Sequence, residues 1–391
     1  MKRLAIITTH PIQYNAPWFK LLNETGKIAV KVFYTWGRAG MGAKYDPGFG
    51  KVIEWDIPLL EGYDYEYVDN ISNEPGSHHF KGIINPDLIE RIQAWKPDAL
   101  LVFGWSFDSH LRCLRFFYKK VPVLFRGDST LLDEKVGIRQ LIRRFFLRWV
   151  FSHVDFALYA GTNNKMYFRK HGLKEHQLVF VPHAIDNERF CNNPEVNEQK
   201  ARDWRKRLNI NDSDLVVLFA GKFESKKNPE LLLKVASEIP NKDIRFILVG
   251  NGHLDSTLKN AANGDPRIHF LDFQNQNLMP VVYRLGDVFI LPSNGPGETW
   301  GLAVNEAMAS SRTIMVSDKV GCGVDLVSHK NGIIFPHGKH VECVSFLTAL
   351  LENRKKLAEM NRESEKRITD FSYERIVRAV LNILDTLKTK D

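Results

Sequence analysis

Two glutamates stand eight residues apart in the segment GPGETWGLAVNEAM, residues 295–308. A glycine-rich turn precedes an apolar run there, so we expect a helix to begin near Gly301 or Leu302. Glu298 would then lie in the loop and Glu306 on the first helical turns. Such carboxylates can accept hydrogen bonds from vicinal sugar hydroxyls, and the unpaired N–H groups of a helix start favour an anion. Two solvated glutamates are the alternative interpretation of this segment taken alone.

Three lysines lie in a second loop that also follows an apolar run, in the segment FAGKFESKKNPELLL. Gly221 ends the expected strand, and a helix is expected from about Pro229. The loop between them contains Lys222, Lys226 and Lys227. Loops at the carboxyl ends of parallel strands bind phosphate in α/β folds, because free backbone N–H groups and the helix dipole favour anions. An ordinary solvated basic loop is the alternative.

Strand-like segments alternate with helix-like segments along the whole chain, which predicts an α/β fold with parallel sheets. In the first half, strands are expected at 3–8, 29–34, 99–103, 121–126, 156–160 and 178–181. In the second half they are expected at 215–221, 245–249, 268–271, 288–291, 313–317 and 332–335. After Pro182 a polar, Asn-rich stretch is the best candidate for an interdomain linker. Two Rossmann-like domains follow, at 1–186 and 187–370, with a last amphipathic helix at 371–391.

The composition is that of a globular chain with two domains. Of the 391 residues 44% are apolar, and no apolar run approaches the roughly 20 residues that cross a bilayer. The four cysteines are scattered and show no CxxC spacing, so neither a disulfide framework nor a zinc site is indicated, and a reducing cytoplasm fits. The formal charge of +8 suits anionic partners such as nucleotides, nucleic acid or anionic lipid.

Several motifs in the second half occur in an order that resembles a known family. The E-x7-E arrangement of PSNGPGETWGLAVNEAMASS, preceded along the chain by GKFESKKNPELLL, is similar to the retaining glycosyltransferases of family 4, which have the GT-B fold. VPHAIDNERF resembles that family's interdomain segment, and VGNGHLDSTL and FLDFQNQNLMPVVYRLGDVFILPS resemble its next two blocks. The resemblance implies two Rossmann-like domains that face each other across a cleft, and a C-terminal helix that crosses back to the first domain.

The resemblance also implies roles for single residues. Glu298 would approach the hydroxyls of the donor sugar, and Glu306 would bind the ribose hydroxyls of the nucleotide. Lys222 and Lys227 stand where the family has basic residues that neutralise the donor diphosphate. The other donor-binding positions, which include those whose backbone N–H groups would face the sugar and phosphate, are Gly221, Thr299, Trp300, Gly301 and Leu302.

No metal and no cofactor are expected beyond the nucleotide sugar, which is the substrate. Lysines and a helix start can stabilise the charge of a leaving diphosphate in place of a cation. The D-x-D of the chain, at 212–214, lies in a polar stretch before a strand and is interpreted as a turn. The Ser-His-His sequence at 77–79 has no third ligand nearby in sequence and is interpreted as a surface loop.

The acceptor side is expected in the first half of the chain. His10 ends the first strand, and α/β topology points it toward the interdomain cleft, although a structural histidine that caps a turn is the alternative. The glycine-rich loop that much of the family has there is missing. Arg126, Asp128 and Ser129 follow another strand, where family members contact the acceptor. A helix-capping role for Asp128 is the alternative.

The basic segment GIRQLIRRFFLRWVFSH, residues 137–153, is expected to form an amphipathic helix. Leu141, Phe145 and Val150 would contribute to its apolar face. Its positive charge comes from Arg139, Arg143, Arg144 and Arg148. This pattern is typical of a helix that lies on an anionic lipid surface. A core helix whose arginines snorkel outward or pair with acids is the alternative.

Together these features predict a cytoplasmic, metal-independent, retaining hexosyltransferase, peripheral at the inner face of the membrane if residues 137–153 contact lipid. The expected donor is a UDP sugar, with a GDP sugar next, and the acceptor is a hydroxyl of a glycan or polyprenyl-linked glycan. A GT-B epimerase, a sugar phosphorylase and a glycosidase with paired carboxylates are rival enzymes, although no pyridoxal phosphate block is found. A basic membrane-binding or nucleic-acid-binding module would leave the E-x7-E motif unexplained, and no nucleic acid partner is expected.

Overall fold

The computed structural model describes residues 1–38, 42, 44–46, 48–135 and 137–387. The contacts within the chain divide it into two units. Unit 1 consists of Met1–Lys44, Ile57–His183 and Tyr373–Asp391, and unit 2 of Tyr45–Asp56 and Ala184–Ser372. Each unit contains a parallel sheet whose successive strands are joined by helices. The prediction of two Rossmann-like domains is therefore confirmed.

The elements are numbered in chain order. The strands are β1 (Lys2–Thr8), β2 (Ile28–Tyr34), β3 (Lys44–Asp46), β4 (Lys51–Ile53), β5 (Asp64–Tyr67), β6 (Ala99–Phe103), β7 (Val123–Arg126), β8 (Phe156–Tyr159), β9 (Leu178–Phe180), β10 (Leu215–Ala220), β11 (Ile244–Val249), β12 (Ile268–Leu271), β13 (Val288–Leu291), β14 (Thr313–Ser317) and β15 (Gly332–Phe335). The helices are α1 (Ala16–Glu24), α2 (Leu88–Trp95), α3 (Asp108–Phe117), α4 (Ile138–Phe151), α5 (Thr162–Lys170), α6 (Asn187–Cys191), α7 (Pro194–Arg207), α8 (Glu230–Glu238), α9 (Asp255–Ala261), α10 (Met279–Arg284), α11 (Leu302–Ala309), α12 (Gly323–Leu326), α13 (Val341–Glu352), α14 (Arg354–Ile368) and α15 (Tyr373–Thr386).

The sheet of unit 1 has the strand order β5-β2-β1-β6-β7-β8-β9, and all its neighbouring strands are parallel. The strands predicted in this half lie within two residues of the observed ones. Their apolar runs form strands because both faces of a parallel sheet are buried, as the fully buried run at 4–7 in β1 shows. Strand β5 was not predicted, since its sequence DYEY is half-exposed and largely polar.

The sheet of unit 2 has the order β12-β11-β10-β13-β14-β15, again with all neighbours parallel. All six residues of β10 are buried, and so are all residues of β13 and β14. Numbered within the unit, this order is 3-2-1-4-5-6, that of a nucleotide-binding doubly wound sheet. The order reverses between β10 and β13, and ligands bind outside the carboxyl ends of the strands at such a point.

Residues 45–56 belong to unit 2, although they precede β5 of unit 1 along the chain. They contain most of the two-stranded sheet formed by β3 and β4, which the sequence did not predict because each strand has only three residues. We call this segment the ribbon. The other changes from one unit to the other along the chain come after His183 and after Ser372.

The C-terminal helix belongs to unit 1, as the expected crossing back to the first domain requires. Helix α15 packs against α1, and its buried face includes Ile376, Val380 and Ile383. The Lys2 ammonium in β1 donates to the Leu387 carbonyl at 2.8 Å, beyond the end of this helix. In the described part of the chain, no helix has both the length and the apolar character that a membrane crossing requires.

Candidate functional site

The loops that follow β10 and β13 form one site in unit 2. These strands are neighbours at the point where the strand order reverses. The Asn294 N–H donates to the Lys226 carbonyl at 2.9 Å, and the Asn228 side chain donates to the Pro292 carbonyl at 3.2 Å. The lysine loop and the glycine-rich loop are therefore bound to each other, directly outside the carboxyl ends of the two strands.

Lys227 and Glu298 form a largely buried ion pair in this site. Lys227 Nζ lies 2.5 Å from Glu298 Oε2, and the two side chains are 19% and 7% exposed. The Ser293 hydroxyl donates to the same carboxylate oxygen at 3.1 Å. The Glu298 carbonyl accepts the Gly321 N–H at 3.0 Å, so its backbone is fixed as well. From the sequence, Lys227 was expected to bind the donor diphosphate and Glu298 the donor sugar. Neither their pairing with each other nor the hydrogen bond from Ser293 was predicted.

Glu306 lies on α11 and has a different partner. The Tyr283 hydroxyl donates to Glu306 Oε2 at 2.7 Å, and both residues are buried. Tyr283 comes from α10, the helix that precedes β13, and the sequence reasoning did not single it out. The two carboxylates of the E-x7-E motif are thus held by separate groups, Glu298 by an ammonium and Glu306 by a phenol.

Helix α11 begins directly after Gly301, whose φ of 99° lies in the left-handed region. A Cβ atom at this position would lie 2.9 Å from Val320 Cγ1 and 3.0 Å from Leu291 Cδ2, so the close packing requires glycine. Within the described residues no side chain caps this start, and its first turn, from Leu302, has no acidic residue. The unpaired N–H groups of such a start, and its positive dipole end, suit an anionic group.

The backbone before α11 is held rigidly. Cys322 N–H donates to the Trp300 carbonyl at 2.9 Å, and a Cβ atom on Gly321 would lie 1.8 Å from the Thr299 carbonyl oxygen. The buried Trp300 indole donates to Asn305 Oδ1 at 2.9 Å. The Trp300 side chain is therefore committed to packing within unit 2.

Gly221 and Lys222 lie at the carboxyl end of β10. The Gly221 N–H donates to the Val249 carbonyl at 3.0 Å, and a Cβ atom on Gly250 would lie 2.0 Å from the Gly221 carbonyl oxygen. Two strand ends can approach this closely only because glycine is present at Gly250. Lys222 forms an ion pair with Asp46 of the ribbon at 2.8 Å. Asp46 was not among the residues that the sequence indicated.

In unit 1, His10 follows β1 and lies against Trp36, with ring centroids 5.2 Å apart in an edge-to-face arrangement. A hydrogen bond of 2.9 Å joins His10 Nδ1 and the Thr9 hydroxyl. Strands β1 and β6 are neighbours where the order of this sheet reverses, so His10 lies at a position suited to a ligand. Its contribution to acceptor binding stays a prediction.

Arg126 is buried and its guanidinium is used within unit 1. It donates to the carbonyls of Val181 at 2.9 Å and Pro182 at 3.0 Å. Burial lowers the pKa of Arg126 to about 10, and the neighbouring Asp128 carboxylate limits that shift. Asp128 itself is exposed. The alternative of a helix-capping Asp128 is wrong, because α4 begins ten residues later, after Gly137, without a side-chain cap.

The D-x-D segment before β10 has structural contacts. The buried Asp214 carboxylate lies 3.1 Å from the Arg245 guanidinium and accepts the Asn211 N–H at 3.1 Å. Residues 212 and 213 form a turn. In the described part of the chain, no group of three or more His, Cys, Asp or Glu side chains is arranged to hold a metal ion.

Helix α4 has a second candidate surface, which we call the outer face. Its large apolar residues recur at intervals of three and four along the helix and are exposed: Ile138, Leu141, Ile142, Phe145, Phe146 and Trp149. The side of α4 that packs on unit 1 contains Leu147, Val150 and Phe151. The expectation that Val150 shares a face with Leu141 and Phe145 is therefore wrong: Val150 is in the core, while the other two point outward.

Comparisons with known proteins show what the region that contains this site is similar to. Residues 200–367 match the family model described as Glycosyl transferases group 1. Sulfoquinovosyl transferase SQD2 of Arabidopsis thaliana is 28% identical over 286 residues, which cover 69% of this chain and 53% of that protein. The D-inositol 3-phosphate glycosyltransferase of Rhodococcus opacus (strain B4) is 26% identical over 45% of this chain and 42% of its own length. The matched stretch thus spans about half the length of these curated relatives.

Solved structures show that the fold extends over the whole chain. Sucrose-phosphate synthase (tll1590) from Thermosynechococcus elongatus has a TM-score of 0.71 at 16% identity, with 99% of both chains covered. Anabaena Alr3699/HepE in complex with UDP has a TM-score of 0.72 at 16% identity, with 99% of this chain and 100% of that chain covered. The same Anabaena protein has also been solved in complex with UDP-glucose. The GT-B fold predicted from the motifs is confirmed.

Proposed function

Because residues 200–367 match the family model described as Glycosyl transferases group 1 and the chain has the GT-B fold, we propose that this protein is a retaining hexosyltransferase. It transfers a hexose from a nucleoside diphosphate sugar to a hydroxyl of a glycan or lipid-linked glycan. The observation that carries this proposal is the Lys227 and Glu298 pair beside the start of α11, at the point where the strand order reverses. A cation, a carboxylate and free helix N–H groups together suit a sugar diphosphate.

The donor extends along this site in three parts. Lys222, Lys227 and the start of α11 bind the diphosphate, Glu306 binds the ribose hydroxyls, and Glu298 binds the hexose. UDP is favoured over GDP as the nucleotide, since the Anabaena protein of similar fold has been solved with UDP and with UDP-glucose. No metal is required, because the lysines and the helix start supply the positive charge that a leaving diphosphate needs.

The transfer retains configuration by attack from the face that the diphosphate leaves. The bond between the anomeric carbon and the diphosphate oxygen breaks, the acceptor oxygen bonds to that carbon, and the acceptor proton passes to the leaving phosphate oxygen. Glu298 supports the positive charge that develops on the sugar and forms no covalent bond with it. Its orientation by Lys227 and Ser293 supports this role, since a carboxylate fixed in advance need not reorganise during the reaction.

The acceptor belongs to unit 1 in this proposal. His10, Asp128 and Arg126 are the predicted acceptor-side residues, with Arg126 acting through the carbonyls that it holds. The outer face of α4 supports a lipid-linked acceptor, because exposed apolar side chains flanked by arginines suit an anionic membrane surface. The protein would then work in the cytoplasm, peripherally at the inner face of the membrane.

A pair of isosteric variants tests the assignment of the reacting end. We expect Glu298→Gln to lower kcat/KM by about 10²- to 10³-fold, because one preorganised charge at the reacting sugar is lost. UDP affinity should not fall, since Lys227 remains for the diphosphate and loses its pairing with a carboxylate. The measurement is radiolabelled transfer from UDP-glucose and GDP-mannose, combined with calorimetric titration of UDP. Glu342→Gln removes an exposed carboxylate from the same unit and is the matched control.

The same assay separates the rival functions. Unchanged turnover in the Glu298→Gln variant would contradict the assignment of Glu298. Conversion of the nucleotide sugar without any acceptor present would indicate an epimerase. Binding of duplex DNA or RNA that weakens steeply with salt, together with absent nucleotide binding, would indicate a nucleic-acid-binding module. A rate that EDTA does not change is expected for the metal-independent mechanism.

A further inference from the structure

The ribbon contacts the segments that follow two strands of unit 2, β10 and β12. Phe49 of the ribbon packs on Phe273, which follows β12, with ring centroids 4.8 Å apart. The Asn275 side chain donates to the Glu54 carbonyl at 2.6 Å, and the Asn277 N–H donates to the Asp56 carboxylate at 3.2 Å. These contacts attach the ribbon to the loop after β12, on the same sheet edge as the site that follows β10 and β13.

At its other end the ribbon reaches the lysine loop through Asp46. Lys222 Nζ donates to both carboxylate oxygens of Asp46, at 2.8 and 3.0 Å, and lies 5.1 Å from the Phe49 ring centroid. A Cβ atom on Gly48 would lie 2.6 Å from Lys222 Cδ, so the lysine side chain runs directly along the ribbon backbone. The ribbon thus contacts both the ammonium and the methylene chain of the Lys222 side chain.

The Asp46 carboxylate is itself held in place. It accepts the Gly48 N–H at 2.8 Å and the Phe49 N–H at 3.2 Å. Burial alone would raise the pKa of Asp46, but the hydrogen bonds and charge of Lys222 and these backbone N–H groups lower it below the ordinary value. Asp46 is therefore negative at neutral pH, about one third exposed, and bidentate on Lys222.

We propose that Asp46 is a donor-site residue that competes with the donor diphosphate for Lys222. This inference rests on the proposed function, in which Lys222 binds the diphosphate. An ammonium that gives two of its three donors to a carboxylate cannot bind a phosphate fully. The ribbon carboxylate releases Lys222 when the diphosphate binds, and takes it back when the product leaves.

The test is a titration of UDP and GDP, by calorimetry, into the protein of 391 residues and four variants of it. Asp46→Asn should bind the diphosphate about three- to tenfold more tightly than the natural chain, and Lys222→Ala more weakly. The double variant Asp46→Asn/Lys222→Ala should match Lys222→Ala, because Asp46 acts through Lys222. Glu54→Gln removes an exposed charge from the same ribbon, away from Lys222, and should leave affinity unchanged.

The outcomes separate this inference from the function on which it rests. If the affinity of Asp46→Asn for UDP and GDP is equal to that of the natural chain, or lower, the competition is refuted. The proposal that this site binds the donor is then unaffected. Equal gains in Asp46→Asn and Glu54→Gln would mean a general charge effect, which also refutes it. If neither nucleotide binds the natural chain or Asp46→Asn, the proposed function fails and this inference fails with it. A thermal melt of each variant establishes that it is folded.

Discussion

At the scale of single residues, the two carboxylates of the E-x7-E motif differ in their partners. Glu298 forms an ion pair with the Lys227 ammonium from another loop. Glu306 accepts a hydrogen bond from the Tyr283 hydroxyl on a neighbouring helix. A group that meets developing positive charge benefits from a fixed orientation, whereas one that binds ribose needs an acceptor at a set distance. The separate environments therefore support two roles along one nucleotide sugar better than a pair that acts together on one bond.

The residue types of this site could be predicted from the sequence, but their partners could not. Lys227 and Glu298 stand in motifs that the family resemblance interprets directly. Ser293 and Tyr283 belong to no motif, and only the adjacency of β13 to its neighbours brings them to the carboxylates. Asp46 was the hardest partner to predict, since it lies in the short ribbon, 176 residues before Lys222 in the sequence.

His110 gives a prediction about pH. It is buried in α3, with Nε2 2.8 Å from the Thr35 hydroxyl oxygen and Nδ1 2.8 Å from the Phe103 carbonyl. Burial lowers the pKa of His110 from 6.5 to about 4, although hydrogen bonds to backbone carbonyls oppose that shift. Because the unfolded chain binds the proton more readily, the contribution to stability is complete above pH 6.5 and is lost as the pH falls toward 4.

Urea unfolding at pH 7.5 and pH 5 measures this contribution. We expect His110 to account for about 2 kcal/mol of the free energy of unfolding that is lost between these pH values. His110→Gln should therefore lose about 2 kcal/mol less over the same interval, even if it is less stable at pH 7.5. Equal losses in both proteins would show that His110 does not titrate as its burial implies. His176→Gln, at an exposed histidine of the same unit, is the matched control.

At the scale of elements, the long buried strands were predicted more completely than the short exposed strands or the orientation of α4. A strand covered on both faces, such as β10, is a short continuous apolar run, and the sequence shows it directly. Strands β3, β4 and β5 are short and partly exposed, so their residues satisfy no such pattern. The helical period of α4 was recognised, but periodicity alone cannot tell which apolar positions face the core. Packing against unit 1 decides that Val150 is buried and Phe145 is not.

The outer face of α4 predicts binding to anionic vesicles. Ile142 and Phe145 are each 64% exposed, and Arg139 and Arg148 are exposed beside them. We expect Ile142→Ser/Phe145→Ser to weaken binding by at least about tenfold, because the apolar area that enters the bilayer interface is lost. Arg139→Gln/Arg148→Gln should weaken binding to anionic vesicles alone, by about 1 kcal/mol per charge.

Flotation with vesicles of phosphatidylcholine, with and without phosphatidylglycerol, measures both effects. Met166→Ser is the matched control, since Met166 is 52% exposed on α5 of the same unit but lies outside the outer face. Equal flotation of all variants would mean that the outer face does not contact lipid. Transfer to a short soluble acceptor should stay unchanged in the α4 variants, because unit 2 and its donor site are untouched.

At the scale of the whole molecule, unit 1 is assembled from the beginning, the middle and the end of the chain. The last helix closes it: α15 buries an apolar face against α1, and the Lys2 ammonium in β1 donates to the Leu387 carbonyl. The heptad-like apolar spacing of α15 indicated a helix with one buried face, but only the family resemblance indicated which domain receives it. Residues far apart in sequence therefore share one core. A substitution that destabilises α15 should also destabilise β1 and α1 near the N-terminus.

Ile376→Ala tests this long-range dependence. Ile376 is 1% exposed on the face of α15 that packs on unit 1. Its truncation leaves a cavity, and we expect unit 1 to lose about 2–5 kcal/mol of stability, the usual cost of Ile to Ala in a core. Hydrogen exchange followed by mass spectrometry should show faster exchange in peptides covering 2–8 and 16–24 than in peptides of unit 2 covering 215–220 and 288–291. Asn382→Ala, at an exposed position of the same helix, is the control for helix propensity alone. Uniform acceleration in both units, or none in unit 1, would contradict the view that α15 stabilises unit 1 specifically.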